Sequence, residues 1–261
     1  MKSHWLKNVK SLWLREKLYF KFYARKKNIL DPRLFQEASL EFAPDMRLTL
    51  CPTDIAHKQI ALTGCYELSV SRKIAALARK GGLLVDVGAN YGYYSLMWAG
   101  TLPGNRVIAF EASHLNSTAL DENGVRNGAA GRIQIFDLAV GKQQGRMPFG
   151  LGPVGETGWG GLSLDDPGLD EVEVVTLDEV MSKKISKQIE VLKIDVEGAD
   201  AWVLEGARDL LKNHSIAHIF FEENNERMKK LNIAKGETQK IVVACGYRLQ
   251  RLSQEEWYAH L

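Results

Sequence analysis

The sequence predicts an α/β protein: a doubly wound, mostly parallel sheet with an N-terminal helical extension. Three observations predict it. Apolar runs of strand length recur at residues 83–85, 106–110, 191–196 and 216–221, and stretches with helical apolar spacing separate them. The runs are apolar at consecutive positions, as in strands covered on both faces. Asp86, Glu111, Asp137, Asp195 and Glu222 stand at the ends of these runs and of the run at 132–136, so one rim of the sheet is polar. Ligands of such sheets bind at the carboxyl ends of the strands.

Composition sets limits. The 261 residues suffice for one large domain with additions, and 45% hydrophobic and 25% charged residues are ordinary for a globular chain. Charge is unevenly spread. Residues 1–30 hold nine basic residues against one acid, Glu16, a net of +8; the whole chain sums to +2, so the remainder carries −6. A net-negative body argues against a nucleic-acid partner. Cys51, Cys65 and Cys245 are too few and too scattered for a zinc site or a disulfide framework, which fits a reducing, cytoplasmic setting. Lysines interrupt every early apolar run, so no secretory leader is expected.

Residues 1–45 are read as a basic amphipathic helical extension and residues 46–261 as the main domain. Trp5, Val9, Leu12 and Trp13 fall at helical spacing among lysines. Such a helix, over residues 1–27, suits the anionic inner face of a membrane. It equally suits packing on its own domain or on a second copy in a homo-oligomer. Pro32 and Pro44 bracket a connector, and residues 46–50 predict a strand stopped by Pro52. Residues 67–79 predict a helix closed by Gly81-Gly82. After the turn at 86–92, a helix is expected from Tyr93, a strand at 106–110, a helix at 115–128 and a strand at 132–136. The Gly- and Pro-rich stretch 142–170 predicts a functional loop or loose hairpin insertion, with Trp159 as a candidate substrate contact. A strand at 171–175, a helical turn at 176–179, a strand at 191–196 and one helix at 199–212 follow. The chain ends with a strand at 216–221, a helix at 237–245 closed by Gly246, and a last strand at 247–252.

The turn carries the first chemistry. After the run at 83–85 come Asp86, Gly88, Asn90 and Gly92, and a helix begins. Strand, glycine turn and helix let a ligand approach backbone N–H groups. A pyrophosphate-binding turn needs G-x-G-x-x-G, and Asn90 stands at the middle glycine. Asp86 would repel phosphates but suits an ammonium. Glu111, ending the second run, suits ribose hydroxyls. An ammonium and a ribose without phosphate describe S-adenosylmethionine.

DVGANYGYYSL, AFEAS, LDEV, KIDVEGAD with VLEGA, and FFEEN, in that order, resemble the FkbM-type S-adenosylmethionine-dependent methyltransferases over roughly residues 64–250. Ala112-Ser113 stands where that family usually has Pro after the second-strand acid. The resemblance implies a Rossmann-like methyltransferase sheet and O-methylation of a hydroxyl on a sugar, glycan or other small molecule. Glu67, Asp86, Gly88, Asn90, Gly92, Glu111 and Asp137 are expected on the cofactor, and Glu222 and the loop residue Trp159 on the acceptor.

Lys193, Asp195 and Glu197 share one parity in an extended chain, so they are expected on one side of their strand. Charges there are costly unless paired or functional. Asp195 is assigned to the reacting centre, with Glu197 as the second candidate base and Lys193 as its electrostatic partner. A divalent ion held by Asp195, Glu197 and Glu222 is a further use of these oxygens. The competing classes are a nicotinamide-dependent oxidoreductase, which lacks its phosphate turn here, and a non-catalytic scaffold that keeps the cofactor fold at a membrane surface.

Overall fold

The structure, a computed structural model, describes residues 4–24, 31–164, 166, 168–182 and 188–261. Its main sheet has seven strands: β1 (Leu83–Val87), β2 (Arg106–Phe110), β3 (Ile133–Phe136), β4 (Ile189–Ile194), β5 (Ile216–Glu222), β6 (Arg248–Arg251) and β7 (Glu256–His260). Their spatial order is β6-β7-β5-β4-β1-β2-β3. The strands from β5 across to β3 run parallel, and β7 is antiparallel to both of its neighbours. Strand order reverses between β1 and β4, which opens a crevice at their carboxyl ends.

Both faces of the sheet are covered, which is why the strands read as continuous apolar runs. Leu84, Ala109, Val191 and Phe220 face one core, shared with the helices Ile55–Thr63, Leu68–Ala78 and Tyr93–Thr101. Their chain neighbours Val85, Ile108, Leu192 and Phe221 face the other, shared with Asp200–Glu205, Arg208–Lys212 and Glu237–Ala244. Each fully buried Leu, Ile, Val or Phe contributes about 1.5–3 kcal/mol. Lys193 lies beside Asp86 in register, so β4 carries a charge in an otherwise apolar layer.

Several expectations are corrected. The predicted helix at 199–212 is two helices, because Gly206 lies against another segment: a Cβ there would sit 2.1 Å from the Gly141 carbonyl oxygen. The Asp178 carboxylate then accepts the N–H groups of Asp209 and Leu210 and restarts the helix. The last strand is not 247–252 but β7, which follows β6 and inserts between it and β5. The strand Glu171–Val175 belongs to a second sheet with Ala139–Val140, Gly145–Gly150 and Gly161–Leu162, so the Gly-rich insertion is a built hairpin. The helices Ile55–Thr63 and Asn225–Lys230 were not expected, and neither was the single turn Arg33–Gln36. The first buries His57, Lys58, Gln59 and Thr63 with its apolar residues, so it shows no stripe.

The N-terminal segment is a 3-10 turn, Trp5–Asn8, and a helix, Leu12–Phe22, capped by Ser11. Residues 1–3 and 25–27 of the expected single helix lie outside the described residues. The segment packs on its own domain, through Leu6 and Tyr19 against Leu62. Arg15 is buried with them; it pairs with Glu41 and donates to the carbonyls of Lys7, Val9 and Thr63. The expected apolar stripe is not the packing face, since Trp5 and Trp13 are exposed. A two-stranded ladder joins Ala38–Ser39 to Arg47–Leu48, so pairing crosses the expected boundary at residue 45. Among the described residues no helix is long and apolar enough to cross a membrane.

Candidate active site

The ends of β1 and β4 meet at the crevice. Gly88 takes φ +80°, and a Cβ there would stand 1.8 Å from the Asp195 carbonyl oxygen. Only glycine permits this approach. The turn is then fixed from β2: the Glu111 carboxylate accepts the N–H of Asn90 at 2.8 Å and that of Ser113 at 2.9 Å. Burial pushes the Glu111 carboxyl up to about 7, although these two donors favour its charged form. Asn90, Glu111, Leu138, Val140, Asp195 and Glu222 line a cavity of about 790 Å³.

Behind the cavity wall lies the Lys193 ammonium, with its side chain 3% exposed. It sits 3.4 Å from the Asp195 carboxylate, 3.6 Å from that of Glu67, and 5.3 Å above the Tyr94 ring. Burial alone would lower its pKa, but Asp195, Glu67 and Glu222 together raise it. The ammonium is therefore charged at neutral pH. Tyr94 donates to Glu67 at 2.7 Å. Burial pushes Glu67 up to about 7, against the pull of Lys193. Burial and then Asp195 push Glu222 up to about 10, which keeps it protonated at neutral pH. Asp200, buried at the start of its helix, accepts the Glu222 N–H through one carboxylate oxygen, while the other has no hydrogen-bond partner among the described residues.

The hairpin insertion roofs the cavity. Asp54 accepts both the N–H and the hydroxyl of Thr157, at 2.6 and 3.0 Å. Asn116 donates to the Thr157 carbonyl, and the Thr157 hydroxyl reaches the Asn90 side chain. On the far side, Arg227 pairs with Glu197 at 2.8 Å, donates to the Trp159 carbonyl, and lies 5.4 Å over the Trp159 ring. Glu67, Asn90 and Glu197 all take positive φ, of 43°, 49° and 56°. Left-handed backbone is costly for glutamate, and such strain gathers at working sites.

The residues singled out from sequence fall into three groups. Asn90, Glu111, Asp195, Glu197, Glu222 and Trp159 line the cavity, as do Gly88 and Tyr94. Lys193 and Glu67 stand behind it as supports. Asp86 does not face it: its carboxylate accepts the Ser95 hydroxyl at 2.6 Å and is 2% exposed. Asp86 therefore anchors the helix start from below. Asp137 is outside the lining and pairs with His114 on the surface. Gly92 gives room inward, since a Cβ would strike Leu120 at 2.2 Å.

The expected side-sharing of Lys193, Asp195 and Glu197 is corrected for Glu197. The strand stops at Ile194, and the left-handed turn at Glu197 directs it to Arg227. The carboxylates that converge are Glu67, Asp195 and Glu222, with oxygens within 4.8 Å of one another. Among the described residues this set, and not Asp195, Glu197 and Glu222, is the one whose oxygens converge, and Lys193 already stands beside two of its members. Sequence reasoning missed Asp54, Asn116, Asp200 and Arg227. Asp54 left a signal, as an N-cap after Pro52-Thr53, and Asp200 stood in view as the last residue of KIDVEGAD.

Glu222→Gln keeps the shape and removes the ionisable group. The folded carboxyl titrates near 10 and the ordinary value is 4.5, so the unfolded chain ionises first and wild-type stability falls as pH rises between them. The variant escapes this loss. Relative to wild type it should gain ~2 kcal/mol between pH 5 and pH 8 in urea unfolding, a conservative share of the shift. An unchanged difference at the two pH values would mean that Glu222 is ionised in the folded protein.

The FkbM methyltransferase domain model matches residues 86–249. The 31-O-demethyl-FK506 methyltransferase FkbM of Streptomyces tacrolimicus is 31% identical over 161 residues, covering 50% of this chain and 61% of that protein. The match thus spans about three fifths of that relative's length. The crystal structure of methyltransferase FkbM from Methylobacillus flagellatus superposes with a TM-score of 0.48 at 15% identity, over 87% of this chain and 57% of that one. The O-methyltransferase of Bacillus cereus, solved with S-adenosylhomocysteine, gives 0.43 at 10% identity, over 74% and 80%. Since the matched segment runs from Asp86 at the end of β1 into β6, and so carries the turn, the Glu111 and Asp195 strand ends and the roof, this chain belongs to the FkbM methyltransferase family.

Proposed function

We propose that the protein transfers a methyl group from S-adenosylmethionine to a hydroxyl of a sugar, glycan or other small molecule. The observation that carries this is the juxtaposition of Asp195 with the Gly88 turn: a partly exposed carboxylate, backed by Lys193, at the point where β1 and β4 part. The relative from Streptomyces tacrolimicus carries "31-O-demethyl" in its name, which supports oxygen as the acceptor atom.

The residues present fit this cofactor. Glu111 offers a carboxylate at the end of β2 for a pair of ribose hydroxyls, and Leu138 and Val140 give apolar walls for a flat base. Residues 86–93 contain no lysine or arginine to receive a phosphate. The cavity, about 790 Å³, has room for a cofactor and part of an acceptor. When bound, the cofactor supplies an electrophilic methyl group on a good leaving group.

The chain then has two tasks, alignment and proton removal. Asp195 takes the proton of the acceptor hydroxyl, or holds that hydroxyl by accepting it. Lys193 is a positioning residue: its ammonium fixes the Asp195 carboxylate from behind. Glu222, neutral, donates a hydrogen bond to an acceptor oxygen. Trp159 offers an exposed ring on the roof against which a sugar or other ring packs. Glu197, paired with Arg227, holds that roof segment.

Two measurements test this reading. In calorimetric titration the wild type should bind S-adenosylhomocysteine and not NAD, and Glu111→Ala should weaken binding by about 1–3 kcal/mol, as expected for lost bonds to a charged group. Preference for NAD, or unchanged affinity in folded Glu111→Ala, would overturn the assignment. Asp195→Asn should lower methyl transfer from labelled S-adenosylmethionine to hydroxylated acceptors by about 10²–10⁴-fold, the range of a general base. Its affinity for S-adenosylhomocysteine should change little. A wild-type rate in Asp195→Asn would move the base elsewhere.

A further inference from the structure

We propose that the outward face of the helix Leu12–Phe22 docks on an anionic lipid surface. The helix is inverted relative to an ordinary surface helix. It turns Arg15 and Tyr19 inward and leaves Trp13 60%, Phe20 57% and Leu14 41% exposed. At 3.6 residues per turn, Phe20, Trp13, Lys17, Lys21 and Leu14 fill one continuous arc of about 120°. Single exposed apolar residues need no explanation, but a shared arc of two aromatic rings and a leucine does.

The charges on the arc point to the partner. Lys17 holds its ammonium 4.8 Å over the Trp13 ring, and Lys21 lies 5.2 Å from that of Phe22. No acid lies on the arc; Glu16 turns inward toward Gln59. Rings that enter the acyl boundary beside lysines that reach phosphate are the pattern of an interfacial helix. The sequence continues with Arg25, Lys26 and Lys27, which adds attraction for an anionic leaflet. A second copy is a poorer occupant, because a two-fold contact through this arc would bring like-charged lysines together. The face is held rigidly: Arg15 and Tyr19 bind carbonyls of the domain, Tyr19 that of Ile55. The rings are thus presented at no further cost in ordering the helix.

The test is co-sedimentation of the full chain with phosphatidylcholine vesicles, with and without added phosphatidylglycerol. Wild type should bind the anionic vesicles, and salt should weaken that binding. The paired variants Trp13→Ser with Phe20→Ser, and Lys17→Gln with Lys21→Gln, should each lower the bound fraction at least about fivefold. All four residues are outside the core, so both variants should keep the wild-type circular dichroism and unfolding midpoint. No binding by wild type, equal binding to neutral vesicles, or wild-type binding by folded variants would overturn the proposal. So would a wild-type dimer that the Trp13→Ser/Phe20→Ser variant abolishes, which would assign the face to a second copy.

Discussion

One buried ammonium governs the centre of this protein. Lys193 comes from the middle strand of the sheet, enclosed on both faces, where an unpaired charge would cost several kcal/mol. Its cost is offset because Asp195 and Glu67 converge on it from the ends of two different elements, with Glu222 adding to their pull. Burial, with the crowding of these carboxylates added to it, is why Glu222 is held neutral at physiological pH and Glu67 is poised near 7. The proposed reading, in which one carboxylate takes a hydroxyl proton while another donates a hydrogen bond, uses this mixture of charged and neutral carboxyls. Lys193 bears on the mixture from behind the cavity wall.

The roof depends on the same economy of approach. Gly88 and Gly198 let segments pass where any side chain would collide, the second against the backbone and Cβ of Arg227. Arg227 then reaches both Glu197 and Trp159, while Asp54 and Asn116 pin Thr157 on the opposite side. The helix that begins at Asp54 is the one on which the N-terminal helix rests, through Tyr19 and Ile55. The basic segment is thus built into the support of the roof, beyond the boundary that composition suggested.

Much of this was legible in the sequence, for physical reasons. A strand covered on both faces must be apolar at every position, so β1, β2, β4 and β5 announced themselves, and so did the polar residues that ended them. The glycine turn was legible because a close approach excludes every other residue. Other features left no local trace. Asp86 ends its strand as Asp195 does, and nothing in the sequence says that one faces Ser95 and the other the cavity; that depends on which strand lies beside which. Glu197 obeyed the parity argument only while the chain stayed extended, and it does not after Ile194. β7 follows one acid, Glu255, and opens on another, Glu256, and its place between β5 and β6 is a long-range choice. Arg227 sits in a run of charges that reads as a solvated surface.

The most direct test of the account is to remove the ammonium and leave its stem. Lys193→Met should destabilise the protein by about 3–5 kcal/mol at pH 8 in urea unfolding, because the carboxylates lose their counter-charge. At pH 5 the carboxyls that burial holds near 7 and 10 carry protons in the folded protein, so there is less charge to neutralise. The loss there should shrink by at least half. An equal loss at pH 5 and pH 8 would show that Lys193 acts by packing alone, and would contradict its role as the charge that organises the site.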